Sequence, residues 1–265
     1  MATVSVHGAE LFYTTRGSGP VCLVLCSIGT KPYELQMPSQ LSDRLQLVFV
    51  DLRGGGRSTG VPSDLTFDVL ASDLEAVRAD LGVEQVSVLG HSILGALAIE
   101  YGRRCPASVS HVITVGTPPF GDMARVSARA ASFFEEDAPE ERKQVLRDNL
   151  ARLPADASMG QIMFAHTPMR FFDARIDAAP LFAEASAKPE LIAHLLGGSR
   201  RDGTSPPHRP RCACRSFSLM DAMTTWSRTS SGRTSRTGSP APPSGSSSGA
   251  GISRFSRNRK SLPRP

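Results

Sequence analysis

The chain has 265 residues and a formal net charge of +5, enough for one large or two small domains. The charge is unevenly spread. Residues 1–198 hold 17 Lys and Arg against 23 Asp and Glu, a net of −6, whereas residues 199–265 hold 13 against 2, a net of +11. A basic balance confined to the last quarter is no signature of nucleic-acid binding by the rest. Five cysteines (Cys22, Cys26, Cys105, Cys212 and Cys214) do not form the framework of a secreted disulfide-rich domain. Cys212 and Cys214 with His208 lack the second ligand pair that a structural metal site needs, so no metal is expected. The start MATVSVHG has no signal-peptide apolar run, and no stretch reaches the roughly 20 apolar residues of a membrane span. A cytoplasmic protein without membrane contact is the expectation.

In chain order, residues 2–6 and 10–15 read as short strands about a turn at His7 and Gly8. VCLVLC at 21–26 is a continuous apolar run, as a strand covered on both faces requires. A helix is predicted within 33–44, and LQLVFV before Asp51 is a second buried strand. RGGGRSTG follows, then a helix whose Val69, Leu70, Leu74, Val77 and Leu81 form an apolar stripe. A strand at 86–90, a helix at 92–104 and the strand VSHVITVG ending at Gly116 complete an alternation that implies a mostly parallel, helix-covered sheet. From about 120 to 198 the pattern is helical, with Phe133, Phe134, Phe164, Phe171, Phe172 and Phe182 as candidates to line an apolar pocket or to fill a core. Residues 227–251 are almost entirely Ser, Thr, Gly, Pro, Ala and Arg, too poor in apolar side chains to offset the entropy of ordering, and disorder is expected there.

The stretch VSVLGHSILGALAIEYGRR changes period at Ser92, from strand alternation (Val86, Val88, Gly90) to helical spacing (Ile93, Leu97, Tyr101). A serine at a sharp strand-to-helix turn stands clear of the sheet beside the free N–H groups of the helix, where an oxyanion is stabilised. The same serine is also a plain N-cap candidate. Both readings stand on these residues alone.

Together with GSGPVCLVLC and DLRGGGRSTG, and in that order, the segment VLGHSILGALAIEYGRRCP resembles the α/β-hydrolase superfamily. The similarity is to the capped branch of proline iminopeptidases, enol-lactonases and esterases, over about residues 1–198. The resemblance implies an α/β fold with a mostly parallel sheet, helices on both faces and a helical cap: core 1–119, cap 120–198, and a basic, disordered tail 199–265. It assigns the nucleophile to Ser92 and the oxyanion-hole donors to the backbone N–H of Ile93 and one from the Ser27–Ile28 loop, taken as Ile28. It implies a small-molecule ester, lactone or amide as substrate, no cofactor, no metal and no specific nucleic-acid partner; the oligomeric state is left unknown. A cap-bound free amine, as in an aminopeptidase, needs carboxylates, and Glu135, Glu136, Asp137 and Glu140 are present, although charge runs on helices are ordinarily solvated faces.

The chain departs from the family pattern at three places. Cys26-Ser27 replaces the usual His-Gly, and the glycine expected two residues after Ser92 is displaced to Gly95 behind Leu94. Most importantly, a serine needs a histidine oriented by a carboxylate, and the resemblance puts both after the cap, on loops following the last strands. Only Asp202, His208 and Asp221 are found there, without an apolar strand to seat them, so the fold is expected to be incomplete at its C-terminus and the triad Asp and His are unassigned. His91 is expected to be structural, with His111 in a strand and His166 and His194 in the cap; Asp51 and Arg53 are expected to organise the glycine loop, and Ser58 lies outside any Walker spacing.

Codons compatible with LMDAMTTWSR at 219–228, read two nucleotides later, spell Asp-Gly-Arg-Asn-Asp-Asp-Leu-Val-Pro, similar to the family's acid loop. The same shift of 251–261 yields a histidine segment, and of 211–218 a buried strand. Three matches in one frame and in family order point to a frameshift near 197–203. A noncatalytic, truncated hydrolase remnant is the competing expectation for the chain as written.

Overall fold

The computed structural model describes residues 1–60, 65–118, 123–173 and 176–196, and the backbone of 215–218. Among the described residues seven strands form one sheet: β1 Ala2–Val6, β2 Ala9–Arg16, β3 Val21–Cys26, β4 Gln46–Asp51, β5 Val86–His91, β6 Val109–Val115 and β7 Arg215–Ser218, in the order β1-β2-β4-β3-β5-β6-β7. The β1–β2 hairpin is antiparallel and β2 joins β4 antiparallel, while β4, β3, β5, β6 and β7 run parallel. The helices are α1 Thr30–Gln36, α2 Phe67–Asp80, α3 Leu94–Arg104, α4 Met123–Asp137, α5 Glu140–Ala151, α6 Met159–Ala165, α7 Thr167–Arg170, α8 Ala179–Phe182 and α9 Pro189–Leu196.

The unbroken apolar run of β3 is explained by its two covered faces. Leu23 and Leu25 join Val48, Val50 and Val88 under Leu70, Leu74 and Val77 of α2 and Leu97 and Tyr101 of α3. The alternate residues Cys22, Val24 and Cys26 join Leu47 and Phe49 on the other face, against Tyr33 of α1. With a side-chain period of two, only a strand buried on both sides requires every position to be apolar. Thr66 caps α2 by accepting from the Val69 N–H at 3.3 Å, and Ser158 forms a capping box with Gln161 at the start of α6.

Three expectations are corrected. The helix expected within 33–44 begins earlier, at Thr30, and ends at Gln36; a 3₁₀ turn, Ser39–Asp43, follows because Pro38 cannot continue the ladder of bonds. Second, α9 does not stay among the inserted helices: its Leu191 and Leu195 enter the cluster of α2 and α3, and His194 meets the Phe67 ring edge-on at 5.5 Å. Third, no strand is expected beyond 198, but Arg215–Ser218 pairs with β6 from His111↔Arg215 to Thr114↔Ser218. A ladder is built from backbone groups, so the open edge of β6 can be paired by a segment without an apolar sequence. The rest of the tail lies outside the described residues, and with it Asp202, His208, Cys212, Cys214 and Asp221. No helix among the described residues is long and apolar enough to cross a membrane.

Candidate active site

Ser92 sits between β5 and α3 with φ +55°, in the left-handed region. For a non-glycine residue this backbone is strained by about 1–2 kcal/mol, and neighbouring bonds hold it there. The Ser92 N–H donates to the Val115 carbonyl at the end of β6 (2.7 Å), and the Ser92 carbonyl accepts from Gly95 (3.0 Å). The N-cap of α3 is Ile93, in helical geometry, and no side chain caps the helix. The plain N-cap reading of Ser92 therefore falls. The turn is tight enough to dictate the flanking residues: a Cβ on Gly90 would lie 2.3 Å from the Leu94 carbonyl oxygen, and one on Gly95 would lie 1.8 Å from Thr117 Oγ1. Leu94, which occupies the position of the displaced glycine, points into the core and is 1 % exposed. The departure from the usual spacing is thus absorbed by packing.

Ile28 follows β3, the strand beside β5, so it and Ile93 both lie at the carboxyl end of the parallel sheet, where open α/β sheets bind ligands. The Ile28 carbonyl accepts from Ser186 at 3.0 Å, and Gly56 N–H donates to the Ser186 carbonyl at 2.8 Å. Lys188 N–H donates to Gly54 at 2.6 Å. Residues 186–188, from the inserted segment, therefore tie the loop after β3 to the loop after β4. Ala178, Phe182 and Ala185 pack on Ile28. Ser27, which replaces the family glycine, bonds the Tyr33 hydroxyl through its Oγ at 3.3 Å and donates to it through its N–H at 3.5 Å. Burial pushes the Tyr33 phenol up to about 12, so it stays protonated.

The loop after β4 is organised by Asp51 and Arg53, as expected. Asp51 Oδ2 accepts from the Arg57 N–H at 2.9 Å, and Ser58 Oγ donates to the Asp51 carbonyl at 2.7 Å while accepting from Phe12 N–H at 2.9 Å. Arg53, 1 % exposed, makes a two-pronged ion pair with Asp73 of α2 (Nε to Oδ2, 2.6 Å) and donates to the Gly60 carbonyl at 2.9 Å. Asp51 is 1 % exposed and its Oδ1 has no partner among the described residues; burial raises its pKa to about 7.

His91 precedes Ser92; desolvation, then the Arg170 charge, lowers its pKa. No described histidine bonds Ser92 Oγ: His166 Nδ1 meets the Ile162 carbonyl at 2.8 Å and His7 Nδ1 meets Ser72 Oγ at 3.5 Å. The candidate phenylalanines divide. Phe164 and Phe182 line a cavity of about 400 Å³ with Leu153, Pro154 and Arg152; Phe134 is core; Phe133 and Phe172 are exposed, Phe172 beneath the Arg142 guanidinium. Glu136 and Glu140 are in exposed ion pairs with Arg129 and Arg147. Tyr33, which bonds Ser27, was not legible from the sequence, because nothing in its neighbourhood marks it; a phenol seven residues after a strand is common.

Comparison with known proteins accords with this arrangement. The chain is 31% identical over 201 residues to the AB hydrolase superfamily protein YclE of Bacillus subtilis (strain 168), covering 72% of this chain and 70% of that protein. It is 31% identical over 123 residues to the proline iminopeptidase PfmaB of Pestalotiopsis fici, a match spanning 44% of this chain and 43% of that one. Among solved structures, an alpha/beta fold family hydrolase from Bacillus anthracis str. Sterne superposes with a TM-score of 0.51 at 18% identity, over 73% of this chain and 71% of that chain. A Bacillus megaterium epoxide hydrolase gives 0.51 at 20%, over 74% and 71%. The family model for the alpha/beta hydrolase fold matches residues 20–181. With that match across more than half of its length and the strand order to go with it, the chain belongs to the alpha/beta hydrolase family.

Proposed function

We propose that the protein is a serine hydrolase of small esters, lactones or amides, in which Ser92 attacks the carbonyl and the backbone N–H groups of Ile93 and Ile28 hold the oxyanion. Water then releases the acyl-enzyme. The observation that carries this reading is the left-handed Ser92 at an uncapped strand-to-helix turn: strain of this kind is retained where a side chain must be presented. The substrate is a small molecule, the site is cytoplasmic, and the helices α4–α8 act as its cap. The exposed pairing of Glu136 and Glu140 with arginines argues against an amine-binding cap of the iminopeptidase kind.

The acid and base of the triad are the part of this reading that the described residues do not bring to Ser92. The reading-frame matches in the last quarter of the sequence support a frameshift near codons 197–203 that removed them, and a noncatalytic remnant is the second reading. Resequencing those codons and assaying a p-nitrophenyl ester with each frame's product separates the two. The restored chain is expected to turn over ester and Ser92→Ala to abolish it; turnover that is indifferent to Ser92→Ala overturns the nucleophile. Ser92-dependent turnover by the written frame overturns the frameshift.

A further inference from the structure

The helices α5, α6 and α8 leave between them a cavity of about 400 Å³, to whose wall Ser92 and Ile28 contribute nothing. Leu153, Pro154, Phe164 and Phe182 form its apolar part. Phe164 keeps 38 % of its surface exposed, so the wall is open to a ligand rather than closed as core. The arginines of α5 are not equivalent. Arg142 donates to the Pro168 carbonyl at 3.2 and 2.6 Å, and Arg147 pairs with Glu140. Arg152, the C-cap of the same helix, lines the cavity, is exposed, and has neither an ion pair nor a side-chain hydrogen bond among the described residues. Gln161 lines it as well; its Oε1 accepts from the Ser158 N–H at 2.8 Å, which leaves its side-chain N–H groups as donors. Among the described residues the wall carries no acidic side chain.

We propose that this cavity is a second ligand site, separate from the serine turn, for a medium-chain monocarboxylate whose alkyl chain covers the apolar wall and whose carboxylate meets Arg152. A planar guanidinium donates to both oxygens of a carboxylate, and Gln161 supplies a further donor. Covering the wall is the larger gain, because each buried methylene contributes through the apolar area it removes from water. A volume of about 400 Å³ is near the lower end for small-molecule sites and takes a chain of roughly six to ten carbons rather than a two-chain lipid. A cationic ligand would meet Arg152 without a carboxylate on the described wall to offset it, and a neutral hydrocarbon would leave both donors to water. The inference does not depend on Ser92 as a nucleophile.

The test measures binding of octanoate, hexanoate and octanamide to the full chain by calorimetry. Octanoate is expected to bind about tenfold more tightly than hexanoate, the contribution of two buried methylenes. It is expected to bind about tenfold more tightly than octanamide, which has the chain without the charge. Arg152→Gln is expected to erase the preference over octanamide and keep the preference for the longer chain. Arg147→Gln, on the same helix but outside the cavity, is expected to change neither. Ala183→Trp fills the cavity from an exposed position on its wall and is expected to weaken octanoate by about tenfold, with an unchanged far-ultraviolet circular dichroism spectrum. Absence of octanoate binding, or equal binding of octanoate and octanamide, overturns the proposal. So does a preference over octanamide that survives Arg152→Gln, or an octanoate affinity that survives Ala183→Trp, in a folded protein.

Discussion

Two loops at the carboxyl end of the same sheet are built on opposite plans. After β4, the polar groups are tied down almost completely: Arg53 to Asp73 and Gly60, Asp51 to Arg57, Ser58 to Asp51 and Phe12. After β5, the turn is held by two backbone bonds and by the close approach of Gly90 and Gly95 to their neighbours, while Ser92 Oγ is left for other work. The first loop is a brace and the second a presentation device. The two serines differ physically: Ser58 is buried and bonded on both sides, whereas Ser92, the proposed nucleophile, is half-buried and strained.

The brace can be broken where it is most buried. Asp73→Ala leaves the Arg53 guanidinium buried without its partner and is expected to cost about 3–5 kcal/mol in urea unfolding; a loss below about 1 kcal/mol would mean that the loop does not brace α2. A second break is made with pH. The Asp51 carboxyl is raised from 3.8 to about 7, so between those values the unfolded chain ionises it while the folded chain keeps its proton. Its contribution is fully present below about pH 4 and is lost as pH rises through about 7, about 4 kcal/mol in all. Unfolding curves at pH 4.5 and 7.5 are expected to lose that part of their difference in Asp51→Asn.

The presentation device is sharpened by smaller changes. Gly90→Ala puts a methyl against the Leu94 carbonyl and is expected to cost about 2–3 kcal/mol, with loss of any Ser92-dependent ester turnover. Ser92→Gly relieves the left-handed strain and is expected to raise stability by up to about 1 kcal/mol, whereas a destabilisation would show that the Ser92 side chain supports the fold after all. Smallest is Arg129→Ala, which removes an exposed ion pair with Glu136 and is expected to shift stability by no more than about 0.5 kcal/mol.

Period and composition by themselves determined the strand-helix alternation, the doubly covered β3, the amphipathic α2 and the turn at Ser92, because each is a local pattern with a single structural solution. The N-cap question at Ser92 was not decidable from those residues, since a capping serine and an uncapped turn use the same sequence; it took the backbone conformation to exclude the cap. Nor was the pairing of Arg215–Ser218 with β6 legible, because an open edge accepts backbone groups whatever their side chains. Arg53 with Asp73, twenty residues apart, and the strap of Ser186 across two loops were decided by tertiary structure alone. Which charge faces which depends on how helices return over a sheet, and no local period encodes that return.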